Sequence, residues 1–161
     1  LDYYYDDGAP RELQRKIFIE QIDVAKQMNK PIVVHNRDAH GDMMDILKKE
    51  AKGLTGVMHC YSGSWEMAKE LIKMNFFLSV GGPVTFKNSA KLPEIVAKIP
   101  LEYLLLETDC PYLTPQPYRG KRNEPAYIKI IAEKIAQIRN ITVEELAVTT
   151  TDNVKNLFGI K

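Results

Sequence analysis

Three residues in this chain have the side-chain chemistry and spacing of a metal centre: His35, His59 and Asp109. Imidazole nitrogens and carboxylate oxygens together suit Zn, Mn, Fe and similar divalent ions. Each follows a short apolar run: Ile32-Val33-Val34 before His35, Val57-Met58 before His59, and Leu104-Leu105-Leu106 shortly before Asp109. A lone histidine at a strand end is most often a hydrogen-bonded core residue. Two histidines and an acid at matched depth on successive strands point to a site, because the C-terminal ends of parallel strands are where loops bring reactive groups together. His40, the third histidine, lies between Asp38 and Asp42 and reads as a solvated loop residue.

Other residues could serve such a centre. Glu107 stands two before Asp109, so on an extended strand it faces the same side and could orient a ligand or a water. A charge-paired structural Glu is the plainer alternative. Arg37, two past His35, could aim a guanidinium at a phosphate. Arg119, Lys121 and Arg122 form a basic run after the last strand, where barrels often build phosphate sites beside a helix N-terminus. For all four, a solvated surface charge is the alternative. Tyr3, Tyr4 and Tyr5 could stack on nucleobases or cover a core or a barrel rim. Cys60 and Met58 alternate away from His59 and read as packed, and Cys110 has no base near it in sequence. No nucleophile elbow suggests Ser/His/Asp chemistry.

The elements that position these residues alternate with regularity. Helical spacing runs from Pro10 to Met28, about Met43 to Ala51, about Ser64 to Met74 with Ser64 as N-cap, about Ser89 to Lys98, and about Glu124 to Arg139. Two short helices are expected at about Val143–Thr149 and Thr151–Phe158. Between them lie apolar strands at Ile32–His35, Gly56–Cys60, Phe76–Val80 and Tyr103–Leu106. Short apolar strands separated by helices predict an α/β fold with a parallel sheet. His35 and His59 are 24 residues apart, His59 and Gly82 are 23, and Gly82 and Asp109 are 27. Each interval is one βα unit. Four such units fit an open sheet or half of a (β/α)8 TIM barrel, which typically takes about 250 residues.

Composition narrows the classes. The 161 residues are 45% apolar and 27% charged with a net charge of +1, which predicts one globular domain over residues 1–161 and excludes a disordered tail. The near-neutral charge gives no global nucleic-acid footprint, so such a role must rest on a local patch. The charge-free run Asn75–Phe86 is too short and too rich in Gly, Pro and Asn for a membrane span. Two cysteines are too few for a disulfide framework, and with no visible signal peptide a cytoplasmic location is expected. The chain opens at Leu1-Asp2-Tyr3 without a methionine, which reads as the continuation of a longer protein.

Six motifs then occur in order: Leu1-Asp2-Tyr3, Val34-His35-Asn36-Arg37, His59-Cys60-Tyr61-Ser62-Gly63, Val84-Thr85-Phe86-Lys87-Asn88, Leu105 to Leu113 (Leu-Leu-Glu-Thr-Asp-Cys-Pro-Tyr-Leu), and Arg119 to Pro125 (Arg-Gly-Lys-Arg-Asn-Glu-Pro). With them the chain resembles the TatD family of metal-dependent deoxyribonucleases, within the amidohydrolase-like barrels, across essentially its whole length. Asn36 and Cys110 stand where serine is common in the family. The resemblance implies a (β/α)8 barrel holding two divalent ions (Mg, Mn or Zn), with His35 and His59 binding one and Asp109 ligating the other and handling the water. It implies DNA, as single strands or ends, as substrate. It also implies a His-x-His pair and a Gly-Glu-x-Gly glutamate just ahead of Leu1, so the chain is expected to be the C-terminal half of such a barrel and inactive alone. Two alternatives stay open: another ester or amide hydrolase on the same barrel, and a non-catalytic half-barrel that self-associates through its exposed edges.

Overall fold

Each strand of this chain is a brief apolar run that stops where a polar residue or a turn takes over. The computed structural model describes residues 1–160. Its helices and strands alternate: α1 (Arg11–Gln27), β1 (Ile32–Val34), α2 (His40–Glu50), β2 (Gly56–Met58), α3 (Trp65–Lys73), β3 (Phe76–Val80), α4 (Lys91–Lys98), β4 (Leu104–Leu106), α5 (Ile128–Arg139) and α6 (Val143–Phe158). These residues form two compact units, one from Leu1 to Phe77 and one from Leu78 onward.

In the first unit β1 and β2 run parallel, Ile32 opposite Gly56 and Val34 opposite Met58. The crossover between them is α2, and α1 packs on α2. Ile22, Met43, Leu47, Leu71 and Phe76 are fully buried and form its core. The Ser64 hydroxyl caps α3 as expected, accepting the Met67 N–H at 3.2 Å. Ahead of α1, residues 1–3 lie alongside Arg37. The Arg37 N–H donates to the Leu1 carbonyl (3.0 Å), and the Tyr3 N–H donates to the Arg37 carbonyl (2.9 Å).

In the second unit β3 and β4 are parallel, Leu78 opposite Leu104 and Val80 opposite Leu106. Helix α6 packs on β4 and on α5. Arg139, the last residue of α5, donates to the carbonyls of Val96, Ala97 and Ile99, groups that the end of α4 leaves without helical partners. Buried Asn153 of α6 donates to the Leu101 and Leu104 carbonyls at the start of β4. Thr142 and Glu145 form a capping box that opens α6.

The expected α/β pattern with parallel strand pairs is present, with three corrections. The region from Val143 to Phe158 is one helix, not two. The Thr149 and Thr150 hydroxyls donate to the Glu145 and Leu146 carbonyls one turn back, and the buried face Leu146, Thr150, Asn153 and Leu157 runs on through the threonines. Helix α2 starts at His40 rather than Met43, so His40 sits in its first turn, half-buried, and is not a solvated loop residue. Strand β2 ends at Met58, and Cys60 adopts a left-handed φ of 45°. Strand alternation therefore says nothing about where Cys60 points.

Candidate metal centre

In the first unit, the backbone brings the two histidines to one level. Parallel pairing sets Val34 beside Met58, and the His59 N–H donates to the Val34 carbonyl at 3.0 Å. One residue beyond each strand, the His35 and His59 rings lie 6.1 Å apart, centroid to centroid, with their planes tilted by 34°. His35 is about half exposed. Its Nε2 lies 2.9 Å from Asp2 Oδ2, a carboxylate 28% exposed. Burial works against ionisation of Asp2, but the bonds from His35 and from the Tyr4 N–H outweigh it and hold the carboxyl below the usual carboxylate range.

That pair fixes a tautomer. An ionised carboxylate only accepts, so Nε2 carries the hydrogen and donates, which leaves the Nδ1 lone pair as the ring's donor atom. A carboxylate behind a histidine is the arrangement that orients metal-ligating imidazoles and raises their basicity. The first unit's donor set therefore fits a divalent ion. Sequence reasoning noted Asp2 only as part of a motif. No spacing rule reveals it, because it reaches His35 across 33 residues of chain through the pairing of residues 1–3 with Arg37.

In the second unit Glu107 and Asp109 follow β4. The Glu107 N–H donates to the Val80 carbonyl at 3.2 Å, extending the strand pairing by one residue. The Glu107 and Asp109 side chains each bring a carboxylate oxygen to within 4.8 Å of the other, although both lie beyond β4 and Asp109 is left-handed, so strand alternation is not what brings them together. Asp109 has φ 56°, a left-handed conformation that costs a non-glycine residue about 1–3 kcal/mol and persists where surrounding contacts determine it. Those contacts come largely from Asn123, 2% exposed. Its amide Nδ2 donates to the Thr108 carbonyl at 2.6 Å and to the Tyr112 carbonyl, its backbone N–H donates to the Pro111 carbonyl at 3.1 Å, and its Oδ1 accepts the Glu124 N–H at 2.9 Å. Asn123 thus clamps both sides of the Asp109 turn. It stands at the end of the basic run, where its neighbours' charge gives no hint of burial.

Of the two glycines after β3, it is Gly82 that makes room for this turn. A Cβ on Gly82 would lie 1.9 Å from the Leu113 carbonyl oxygen, so the loop after Asp109 can cross here only over a glycine. A Cβ on Gly81 would meet Glu107 Cγ at 3.4 Å. The same loop is fastened again by Thr85, whose hydroxyl donates to the Gly82 carbonyl (2.7 Å) and accepts the Gln116 N–H (2.9 Å).

The basic residues are placed unevenly. The Arg37 guanidinium stacks on Tyr4, 3.4 Å from the ring centroid, and donates to the Tyr5 hydroxyl at 3.3 Å. Arg119 lies 4.0 Å from the Phe86 ring centroid and reaches Asn88 Oδ1 at 3.5 Å. Lys121 is 5.6 Å from the Tyr118 ring, which stacks on Tyr127 at 4.8 Å. Arg122 is exposed. Cys110 is exposed as well, and Cys60 is half-buried.

With this geometry in view, comparison with known proteins is specific. The family model described as TatD related DNase matches residues 1–159. The chain is 55% identical over 161 residues to the uncharacterized metal-dependent hydrolase YabD of Bacillus subtilis (strain 168), covering 99% of this chain and 63% of that protein. It is 38% identical over 167 residues to a protein of Escherichia fergusonii named 3'-5' ssDNA/RNA exonuclease TatD, covering 99% of this chain and 64% of that one. The crystal structure of YJJV, a TatD homolog from Escherichia coli K12, superposes with a TM-score of 0.92 at 29% identity, over 100% of this chain and 62% of its own. The chain thus spans a little over three-fifths of the length of each of these proteins. No described helix is long and apolar enough to cross a membrane. By sequence and by fold, the chain belongs to the TatD related DNase family.

Proposed function

We propose that this chain carries part of the active site of a cytoplasmic, divalent-metal-dependent phosphodiesterase acting on single-stranded DNA or DNA ends, with His35, His59 and Asp109 as metal ligands. The observation that carries the reading is the Asp2–His35 pair, which sets one ring nitrogen as a donor beside a second histidine. The donor types His59, Glu107 and Asp109 are those of hard-to-borderline divalent ions such as Mg, Mn or Zn. The relative named as a 3'-5' ssDNA/RNA exonuclease supports a single-stranded nucleic-acid substrate.

When bound, such ions, two in a complete site of the family, supply positive charge to the phosphoryl oxygens and lower the pKa of water. The chain's own residues do the rest. Asp109 orients the attacking water and accepts its proton at a carboxylate oxygen. Glu107 orients a ligand or the water. Arg37, Arg119, Lys121 and Arg122 hold flanking phosphates through charge-assisted N–H bonds, so affinity falls as salt rises. Arg37 and Arg119 already sit over the rings of Tyr4 and Phe86. On this reading the three ligands are a partial set, completed by the family's remaining strands or by a second copy of the chain.

The test compares cleavage of a labelled single-stranded oligonucleotide in Mn²⁺. One sample is the 161-residue chain; the other is extended ahead of Leu1 by the family's His-x-His and Gly-Glu-x-Gly segments. The extended chain cleaves and the shorter one does not, and Asp109→Asn in the extended chain lowers the rate by about 10²–10⁴-fold. An extended chain that hydrolyses esters or lactones but no phosphodiester, or whose Asp109→Asn variant keeps its rate, overturns the reading.

A further inference from the structure

Three tyrosines in a row lead into α1, and the fold uses only one of them. The Tyr3 hydroxyl donates to Asp42 Oδ2 at 2.7 Å, Arg15 donates to the same oxygen at 2.9 Å, and Arg11 lies 4.5 Å from the Tyr3 ring centroid. Tyr4 and Tyr5 have no such role in the core. They are 54% and 56% exposed, and their rings meet edge to face at 5.0 Å with an interplanar angle of 89°. Arg37 lies over Tyr4, 3.4 Å from its ring centroid, and is itself held by backbone pairing with residues 1–3, two residues beyond His35.

We propose that Tyr4, Tyr5 and Arg37 form a nucleobase subsite: a base of a single-stranded nucleic acid stacks on the exposed tyrosines while Arg37 takes the adjoining phosphate. This rests on the phosphodiesterase reading above and adds to it a residue-level account of how a strand is gripped. The chemistry favours this division of labour. A guanidinium stacked on a ring keeps its N–H edge in the ring plane's direction, available to a phosphate. An aromatic face accepts any base, which suits an enzyme that must follow a strand of varied sequence. A cavity of about 210 Å³ is lined by Tyr5 together with Asp2, Tyr3, Asp6, Arg11 and Gln14 among others. Its lining mixes the Asp6 carboxylate and the Gln14 amide with the Arg11 guanidinium, groups that can bond the polar edge of a base stacked on Tyr5.

The experiment measures binding of the full chain in EDTA, by fluorescence anisotropy, to a labelled oligothymidylate and to a strand of equal length whose bases are replaced by abasic sites. The two strands carry the same phosphates, so their affinity ratio isolates base stacking. The wild-type chain favours the base-bearing strand, and Tyr4→Ala with Tyr5→Ala shrinks that ratio by about 5- to 150-fold per stacked base. Tyr4→Phe keeps the ratio, and an unchanged thermal midpoint shows that the double variant is folded. Equal wild-type affinity for the two strands, or a ratio that survives the double substitution, overturns the subsite. Hydrolysis of a base-free aryl phosphodiester by the extended chain is read in parallel. If it proceeds while the ratio is absent, the subsite fails and the phosphodiesterase reading stands. If the ratio is present and no diester is hydrolysed, the phosphodiesterase reading fails instead.

Discussion

The two units hold their candidate ligands by different physical means. In the first, His35 is half exposed and is oriented by one side chain, Asp2, reached across the chain. In the second, Asp109 is oriented by its backbone: a left-handed turn clamped by buried Asn123 and overlain by a loop that only Gly82 allows to pass. A histidine needs one of its two nitrogens fixed, and a single hydrogen bond does that. The short stem of an aspartate ties the position of its carboxylate closely to the main chain that carries it. The consequence is a difference in what damage each site tolerates. Loss of support in the first unit should cost affinity and leave stability intact, whereas in the second it should cost stability.

The sharpest way to break that comparison is Asn123→Ala. It removes the donor to the Thr108 and Tyr112 carbonyls and the acceptor of the Glu124 N–H in a site that water does not reach. Each buried group left without a partner costs about 1–3 kcal/mol, so a loss of about 3 kcal/mol in unfolding free energy is expected from urea denaturation. An Asn123→Ala protein as stable as wild type would show that the Asp109 turn holds itself.

Asp2→Ala comes next. Removing the carboxylate behind a ligating histidine typically weakens metal binding by about 10- to 100-fold. Calorimetric titration with Zn²⁺ reads that loss. Long-range ¹H–¹⁵N correlation of the His35 ring supplies a readout free of metal: hydrogen on Nε2 in the wild-type chain, and a tautomer mixture in Asp2→Ala. If His35 keeps the Nε2–H form without Asp2, the carboxylate does not orient it. The stability of Asp2→Ala should stay near wild type, the opposite of Asn123→Ala.

How much of this was legible in the sequence follows from the range over which each feature is encoded. Helices and strands announced themselves through local apolar periodicity, and the ligand candidates His35, His59 and Asp109, with Glu107 beside them, were singled out by their position after apolar runs. Asp2 and Asn123 were not. Their roles depend on pairings made across 33 and 15 residues of chain, respectively, and nothing in a short polar residue states whether it will be buried. The α6 boundary failed for a related reason. The two helices expected over this stretch are one, because Leu146, Thr150, Asn153 and Leu157 form a continuous buried face, and tertiary burial overrides the low helix propensity of threonine.

Acid titration offers the gentlest probe of the same contrast, with one paired carboxyl to follow in each unit. Asp42 is held below the ordinary carboxylate range chiefly by the Tyr3 hydroxyl and then by Arg15. Glu145 is lowered chiefly by the Thr142 backbone N–H and then by the Thr142 hydroxyl. In both cases the folded pKa lies below the unfolded one, so folding favours the ionised form. The stabilisation is therefore complete above the ordinary carboxylate range and is lost as pH falls through the lowered folded pKa. Both groups are solvent-accessible, so each effect is smaller than that of Asn123→Ala or Asp2→Ala. Trp65, the chain's single tryptophan, lies in the first unit and reports on it alone by fluorescence, while far-ultraviolet circular dichroism follows the helices of both. Asp42→Asn should flatten the acid dependence of the Trp65 urea midpoint, and Thr142→Ala should leave that midpoint's acid dependence as it was while lowering the dichroic one. If Asp42→Asn leaves the fluorescence profile unchanged, the Tyr3–Asp42–Arg15 contacts do not stabilise the first unit, and its three leading residues are held by their bonds to His35, Arg37 and Gln14.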